Sequence, residues 1–168
     1  FLIHAYVFER DGRLFAQCRL FDVLVASQTL GTELNAHPKA WRQLGHRFAD
    51  EVVRYLTGLR GVGSSEIVFS AGRPGKKEIY VVDYDGENLT QITKHNSISL
   101  TPQLSPDSNR IAYMSFKDRY PFLYILDRGA GRLTPFSKRI GLNHAPAWAP
   151  DGRTLALCLS QDGNTEIY

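Results

Sequence analysis

The chain of 168 residues can hold one medium-sized domain or two small ones, and its 43% hydrophobic and 22% charged residues are ordinary for a folded globular protein. It contains no run of 18 apolar residues, so the sequence predicts no transmembrane segment. The 20 basic residues are dispersed among 17 acidic ones without a basic block, which argues against nucleic-acid binding. Cys18 and Cys158 lie in separate apolar runs, and we expect two buried thiols.

Residues 1–59 are predicted to form part of an α/β domain. Strand-like runs at 6–9 and 14–21 flank Asp11-Gly12, a pattern that predicts a hairpin with a tight turn. A further strand is predicted at 28–34, after a turn near Val25. Alternating aliphatic residues in the second strand indicate that one face of this small sheet is buried.

An amphipathic helix is the next predicted element. Pro38 suits its first turn and Gly58 its end. Residues 60–65 are rich in Gly and Ser, so we expect a linker there and a domain boundary before residues 66–168. The apolar residues at helical spacing, which we expect to form the core stripe, are Trp41, Leu44, Phe48, Ala49, Val52 and Leu56.

A repeat of 44 residues organises the rest of the chain. The stretch Pro102–Asp107 aligns with Pro146–Asp151, and the same offset makes Tyr80, Tyr124 and Tyr168 equivalent. Each unit contains three short apolar strands separated by Pro- and Gly-rich turns, and a fourth, short strand is expected just before the proline. Four strands in about 40–45 residues form one blade of a β-propeller.

The chain contains too few repeats to close a propeller ring. Residues 67–168 hold a little over two units, whereas propellers use roughly four to eight blades. We therefore expect further blades after Tyr168. Because the chain starts at Phe1 and already reads as a strand, we also expect residues before it.

Several motifs together resemble the TolB family. The hairpin ends in Phe-Asp-Val-Leu at 21–24, the helix ends in Leu-Thr-Gly at 56–58, and blades follow directly. Tyr-Val-Val-Asp-Tyr-Asp-Gly at 80–86 and the two Pro-Asp turns at 105–107 and 149–151 also match. The resemblance implies an α/β segment followed by all-β blades of an incomplete six-bladed propeller with 44-residue repeats.

The same resemblance implies a function. TolB proteins are non-enzymatic scaffolds of the periplasmic Tol-Pal system, which supports outer-membrane integrity and constriction at cell division. Their propeller binds the peptidoglycan-associated lipoprotein Pal, and their extreme N-terminus contacts TolA. That segment precedes this sequence, so no residue here is assigned to TolA, and no cofactor or metal is expected.

The implied Pal-binding surface lies on one mouth of the propeller. Departures from the family pattern, Ser108 in place of a common Gly and Val25-Ala26 in place of Ser-Gly, lie outside it. We expect Asn143→Ala with His144→Ala to weaken Pal binding without changing the melting temperature. The predicted contact residues are Ser99, Leu100, Thr101, Pro102, Leu142, Asn143, His144, Ala145 and Pro146.

Motifs for metal binding or catalysis are less clear in the sequence than the propeller repeat. Asp83-x-Asp85-Gly86 resembles the start of a calcium loop but lacks its later ligands, so a turn is favoured. Asp107 and Asp151 recur with the repeat, which favours a role in capping turns. Two alternatives remain open: the propeller of a prolyl-oligopeptidase-like serine peptidase, although no G-x-S-x-G occurs, or a propeller enzyme with a metal in its channel.

Overall fold

A computed structural model describes all 168 residues, which divide into two compact units, Phe1–Ser65 and Glu66–Tyr168. Unit 1 contains the strands β1 (Leu2–Arg10), β2 (Arg13–Asp22) and β3 (Ser27–Ala36), a 3₁₀ turn at Pro38–Ala40 and the helix α1 (Trp41–Thr57). The helix α1 is neither long nor apolar enough to cross a membrane.

Unit 1 is a three-stranded antiparallel sheet in the order β1-β2-β3, packed against α1. The predicted hairpin turn has positive φ at both of its central residues, Asp11 (52°) and Gly12 (70°). This geometry matches the twist of the strands on either side. The helix ends at Gly58, whose φ of 74° lets its N–H donate to Arg54 O at 2.9 Å.

The core of unit 1 corrects the predicted helix stripe. Leu44 and Phe48 are buried against residues of β2 and β3, and Val52 packs beside them. Trp41 and Leu56, however, are 60% and 47% exposed. Ala49 is exposed too. The prediction that Trp41 belongs to the core stripe is wrong, because the sheet residues that form this core meet the helix at its middle turns.

Unit 2 contains ten strands in three antiparallel sheets, ordered β4-β5-β6, β10-β9-β8-β7 and β11-β12-β13. We call these the first, middle and third sheets. Their strands are β4 (Glu66–Arg73), β5 (Lys76–Asp83), β6 (Thr90–Gln91), β7 (Ser99–Leu104), β8 (Arg110–Ser115), β9 (Phe122–Asp127), β10 (Arg132–Ser137), β11 (Asn143–Trp148), β12 (Leu155–Leu159) and β13 (Glu166–Ile167).

The three sheets pack face to face, with the middle sheet covered on both sides. One apolar cluster joins the first and middle sheets and is centred on Ile79, Val81, Ile111, Tyr113 and Tyr124. A second cluster joins the middle and third sheets. Its buried members are Ala112, Leu123, Leu155, Leu157 and Leu159. Alternation along β8 sends Ile111 and Ala112 to opposite faces, which is how one strand serves both clusters.

Pairs of residues also connect neighbouring sheets. Arg128 donates two hydrogen bonds to the Glu66 carboxylate, at 2.6 and 2.8 Å. Between the middle and third sheets, the Arg110 guanidinium donates to Gly152 O at 2.5 Å and lies 4.6 Å from the centre of the Trp148 ring. The structure thus confirms an α/β segment followed by propeller-type sheets that do not close a ring.

One detail of the predicted blades is wrong. The sequence predicts a fourth, short strand that ends before each proline, but Pro102 and Pro146 lie inside β7 and β11. The pairing register shifts at both places, and the residues before the prolines, Thr101 and Ala145, have φ of 49° and 48°. A bulge tolerates a proline because it leaves the local ladder interrupted.

The two cysteines differ in exposure. Cys18 is buried, and burial, followed by the nearby Glu51 charge, raises the pKa of its thiol. Cys158 is only half-buried, in β12. The expectation of two buried thiols is therefore correct for Cys18 and wrong for Cys158, which lies on the face of the third sheet opposite Leu157.

Candidate partner-binding surface

The segments that lead into β7 and β11 lie at one end of the sheets in unit 2. We call this end the connector end and define it by residues 72–77, 92–98, 116–121, 137–142 and 160–165. Antiparallel pairing brings these segments together, since each lies where one strand ends and the next begins. The opposite, turn end consists of residues 83–89, 105–110, 127–132 and 149–154.

Backbone hydrogen bonds link the connectors of neighbouring sheets. Lys77 N–H donates to Ser97 O at 2.9 Å, which ties the first sheet to the segment entering β7. Asn143 N–H donates to Pro121 O at 3.2 Å, which ties the start of β11 to the middle sheet. The connector end is therefore one continuous surface rather than a set of separate loops.

The predicted residues of β7 fall into two groups. Ser99 is fully buried, with its hydroxyl 3.0 Å from that of Ser115. Leu100 and Pro102 are half-buried, and Thr101 is exposed at the bulge. Of these four, Thr101 has the side chain that a partner can reach most readily.

The predicted residues of β11 show the same division. Asn143 is fully buried. Its Oδ1 accepts from Ser137 Oγ at 2.6 Å, and its Nδ2 donates to Arg139 O at 2.9 Å and Gly141 O at 3.2 Å. Asn143 therefore shapes the connector from within. These contacts change the prediction for Asn143→Ala with His144→Ala: we now expect a lower melting temperature, because the variant leaves buried polar groups without hydrogen bonds.

The remaining members of this set surround the second bulge. Ala145 is exposed, His144 and Leu142 are half-buried, and Pro146 is buried. Leu142 N–H donates to Ser160 Oγ at 2.8 Å. The repeat thus presents two equivalent exposed bulges, at Thr101 and Ala145, each supported by a buried polar residue two positions earlier.

A tyrosine–aspartate pair that the sequence analysis missed holds two connectors in place. Tyr124 Oη donates to Asp118 at 2.7 Å, and Tyr168 Oη donates to Asp162 at 2.6 Å. Hydrogen bonds from Tyr124 and Lys117 lower the pKa of Asp118. The two pairs are related by the 44-residue offset, so the repeat in the sequence could have predicted the second pair from the first.

The segment that enters β7 is anchored by a buried carboxylate. Glu78 accepts from Thr93 Oγ1 at 2.5 Å and from Asn96 N–H at 2.7 Å. His95 Nε2 lies 2.9 Å from the Tyr113 hydroxyl, and burial lowers the pKa of His95. These contacts hold the loop before Ser99 in one arrangement.

The acidic motifs lie at the turn end. Gly86 N–H donates to Asp83 O at 2.9 Å, and Asp85 accepts from Glu87 N–H at 3.1 Å, which is the geometry of a turn. Asp151 accepts from Arg153 N–H at 2.8 Å. Asp107 accepts from Ser105 Oγ at 2.6 Å, and this bond, with those from Asn109, lowers the pKa of Asp107 to about 2.

Antiparallel sheets of three or four strands packed face to face, with equivalent connectors at one end, are typical of β-propellers. Residues 53–168 match the family described as the TolB beta propeller domain. The chain belongs to this family.

Individual relatives agree with that assignment. The chain is 40% identical over 117 residues to the protein TolB homolog of Chlorobaculum tepidum, covering 70% of this chain and 27% of the relative. It is 40% identical over 123 residues to the Tol-Pal system protein TolB of Desulfosudis oleivorans, covering 73% of this chain and 28% of the relative. The chain thus spans a little over a quarter of the length of these curated relatives.

Solved structures support the fold over nearly the whole chain. The crystal structure of TolB from Acinetobacter baumannii superposes with a TM-score of 0.84 at 28% identity, covering 99% of this chain and 43% of that one. A TolB structure described as putative, from Agrobacterium tumefaciens, gives a TM-score of 0.55 at 20% identity, covering 99% and 57%. The second likeness concerns the fold alone.

Proposed function

We propose that this chain is part of a non-enzymatic scaffold of the Tol-Pal system that works in the periplasm and binds the lipoprotein Pal at its connector end. The relative from Desulfosudis oleivorans bears the name of that system, which supports the proposal. A link to TolA, outer-membrane integrity and constriction at division belong to the same proposal. No residue of this chain is assigned to TolA.

The observation that carries the proposal is the pair of equivalent bulges. Thr101 and Ala145 are exposed at positive φ, two residues into β7 and β11 and therefore beside the connector end of neighbouring sheets. Ser99 and Asn143 are fully buried beneath them. Buried side chains beneath the bulges favour a surface that is already formed before a partner binds, which would reduce the conformational entropy lost on binding.

In this proposal, different residues at the connector end maintain the fold and contact the partner. Ser99 and Asn143 would act through the shape of the connectors, whereas Thr101, His144 and Ala145 would contact the partner. The peptide groups at the two bulges offer further hydrogen bonds, because a bulge leaves the local ladder interrupted. This arrangement supports recognition of a protein surface by backbone and small side chains.

The test is a calorimetric titration of the full-length protein with the soluble domain of Pal from the same organism. We expect saturable one-to-one binding and a loss of at least about tenfold in affinity for Thr101→Tyr, since a bulky side chain at an interface centre prevents close packing. The matched control is Ser108→Tyr, an exposed residue of positive φ at the turn end of the same sheet.

The affinities of Thr101→Tyr and Ser108→Tyr decide whether the connector end is the Pal site. Weaker binding by Thr101→Tyr alone, with equal melting temperatures for the two variants, supports the connector end as the Pal site. Equal affinity for both variants would remove the bulge at Thr101 from the interface. A folded full-length protein that does not bind Pal at all would overturn the proposed function.

A further inference from the structure

Charged residues are divided unevenly between the two ends of unit 2. The turn end carries six acidic and four basic residues, whereas the connector end carries eight basic and two acidic ones. The acidic residues of the connector end are Asp118 and Asp162. Its basic residues are Arg73, Lys76, Lys77, Lys94, Lys117, Arg119, Lys138 and Arg139.

Internal contacts already occupy both carboxylates of the connector end. Asp118 accepts from Tyr124 Oη and lies 3.2 Å from Lys117 Nζ and 3.5 Å from Lys138 Nζ. Asp162 accepts from Tyr168 Oη. Arg119 and Arg139 are exposed, and no carboxylate of the chain pairs with either of them. The positive charges of these two arginines are therefore left for a partner.

Two of the four basic residues of the turn end, Arg110 and Arg128, make contacts within the protein. Arg128 is bound by the Glu66 carboxylate, and Arg110 by Gly152 O and the Trp148 ring. These two arginines join neighbouring sheets, so their role in stabilising the packing of the sheets explains why they are there. No such contact accounts for Arg119 or Arg139, which lie in the connectors before β9 and β11.

Exposed apolar residues occur in the same two connectors. Ile140 is 88% exposed and follows Arg139, and Tyr120 is 64% exposed and follows Arg119. Aromatic and apolar side chains with arginines beside them are typical of protein–protein interfaces, in which an apolar centre is surrounded by a polar rim.

We propose that the connector end binds an acidic protein surface, with Tyr120 and Ile140 in the contact and Arg119 and Arg139 facing carboxylates of the partner. The inference rests on the proposed function, in which that partner is Pal, and it names the chemistry that Pal would present. Complementary charge would speed encounter and orient the partner, so binding would weaken as salt rises.

The experiment is a titration of the full-length protein with the soluble domain of Pal at about 50 mM and about 300 mM NaCl. The test variant is Arg119→Glu with Arg139→Glu. The matched control is Arg132→Glu with Arg153→Glu, two exposed arginines of the turn end, which changes the net charge equally. Arg119→Lys with Arg139→Lys keeps the charge and checks that the connectors still fold, together with the melting temperature of each variant.

We expect the wild type to bind more weakly at the higher salt concentration and the test variant to lose at least about tenfold in affinity. The turn-end control and the lysine variant should stay within about twofold of the wild type. A wild type that binds Pal with no salt dependence, or a test variant of equal affinity, would overturn the acidic-surface proposal and leave the proposed function standing.

A wild type that does not bind Pal overturns the proposed function, and a second probe then decides the nature of the surface. Vesicles with about one-third anionic phospholipid would be sedimented with the wild type and the test variant. Co-sedimentation lost in Arg119→Glu with Arg139→Glu would assign the basic end to a lipid surface and overturn a protein partner. Absence of both interactions would overturn it as well.

Discussion

The middle sheet and the outer sheets of unit 2 carry equivalent residues that meet different surroundings. Ile67, Ile111 and Leu155 occupy the same position of the repeat, yet they are 48%, 0% and 8% exposed. The middle sheet is covered on both faces, and the first and third sheets are each covered on one face by another sheet of the unit. A repeat therefore encodes the strands and their pairing, whereas burial depends on the neighbours of each sheet.

Substitution of two isoleucines at the same position of the repeat should change stability by very different amounts. In the 168-residue chain, Ile111→Ala should lower the free energy of unfolding by about 2–5 kcal/mol, since it leaves a cavity in a fully packed cluster. Ile67→Ala should cost about 1 kcal/mol or less, because half of that side chain is already in water. Urea unfolding followed by tryptophan fluorescence measures both. Equal losses would show that the two sheet positions are packed alike in solution.

A smaller effect separates two tyrosines that make the same hydrogen bond. Tyr124 and Tyr168 both donate to an aspartate, but Tyr124 is 1% exposed and Tyr168 is 45% exposed. Tyr124→Phe should cost about 1 kcal/mol, and Tyr168→Phe close to none, because water replaces the bond at the exposed site. Burial also raises the pKa of Tyr124, so its ultraviolet absorbance should titrate well above the ordinary range.

If Tyr124→Phe and Tyr168→Phe lowered the free energy of unfolding equally, Tyr168 would have to be shielded from water in solution. The same two variants can also be measured in the full-length protein. A cost that rises only for Tyr168→Phe would mean that residues outside this chain cover the third sheet.

Much of the fold could be predicted because it depends on spacing. The offset of 44 identifies Tyr80, Tyr124 and Tyr168, and the Asp11-Gly12 turn follows from two residues that tolerate positive φ. The wrong predictions concern packing. Nothing in the sequence of α1 says that the sheet beneath it contacts Leu44 and Phe48 but leaves Trp41 exposed.

The candidate site shows the same limit. Resemblance to a family selects the segments at 99–102 and 142–146, but it does not separate exposed from buried residues. Asn143 is a polar residue in a loop-like context, which favours exposure, and only the structure shows its side chain enclosed by Ser137, Arg139 and Gly141. The positive charge of the connector end is not visible as a pattern in the sequence either, because its arginines and lysines are scattered along the chain.

The two Pro-Asp turns should differ in stability by the least of these pairs. Asp107 accepts from Ser105 Oγ and from the backbone and side chain of Asn109, whereas Asp151 accepts from Arg153 N–H. The repeat conserves the turn but replaces Ser105 with Ala149 and Asn109 with Arg153. Because these bonds lower the pKa of Asp107 to about 2, from about 4 in an unfolded chain, its stabilising contribution is complete above pH 4 and is lost as the pH falls through 2.

Asp107→Asn should therefore reduce stability slightly at neutral pH and flatten the loss of stability between about pH 4 and about pH 2. Urea midpoints of the 168-residue chain across that range measure the slope, with Asp151→Asn as the matched control. We expect the control to keep more of the wild-type slope, since fewer hydrogen bonds depend on its carboxylate. An acid slope that is unchanged in Asp107→Asn would mean that the bonds from Ser105 and Asn109 do not persist in solution, and the two turns would then differ in sequence but not in strength.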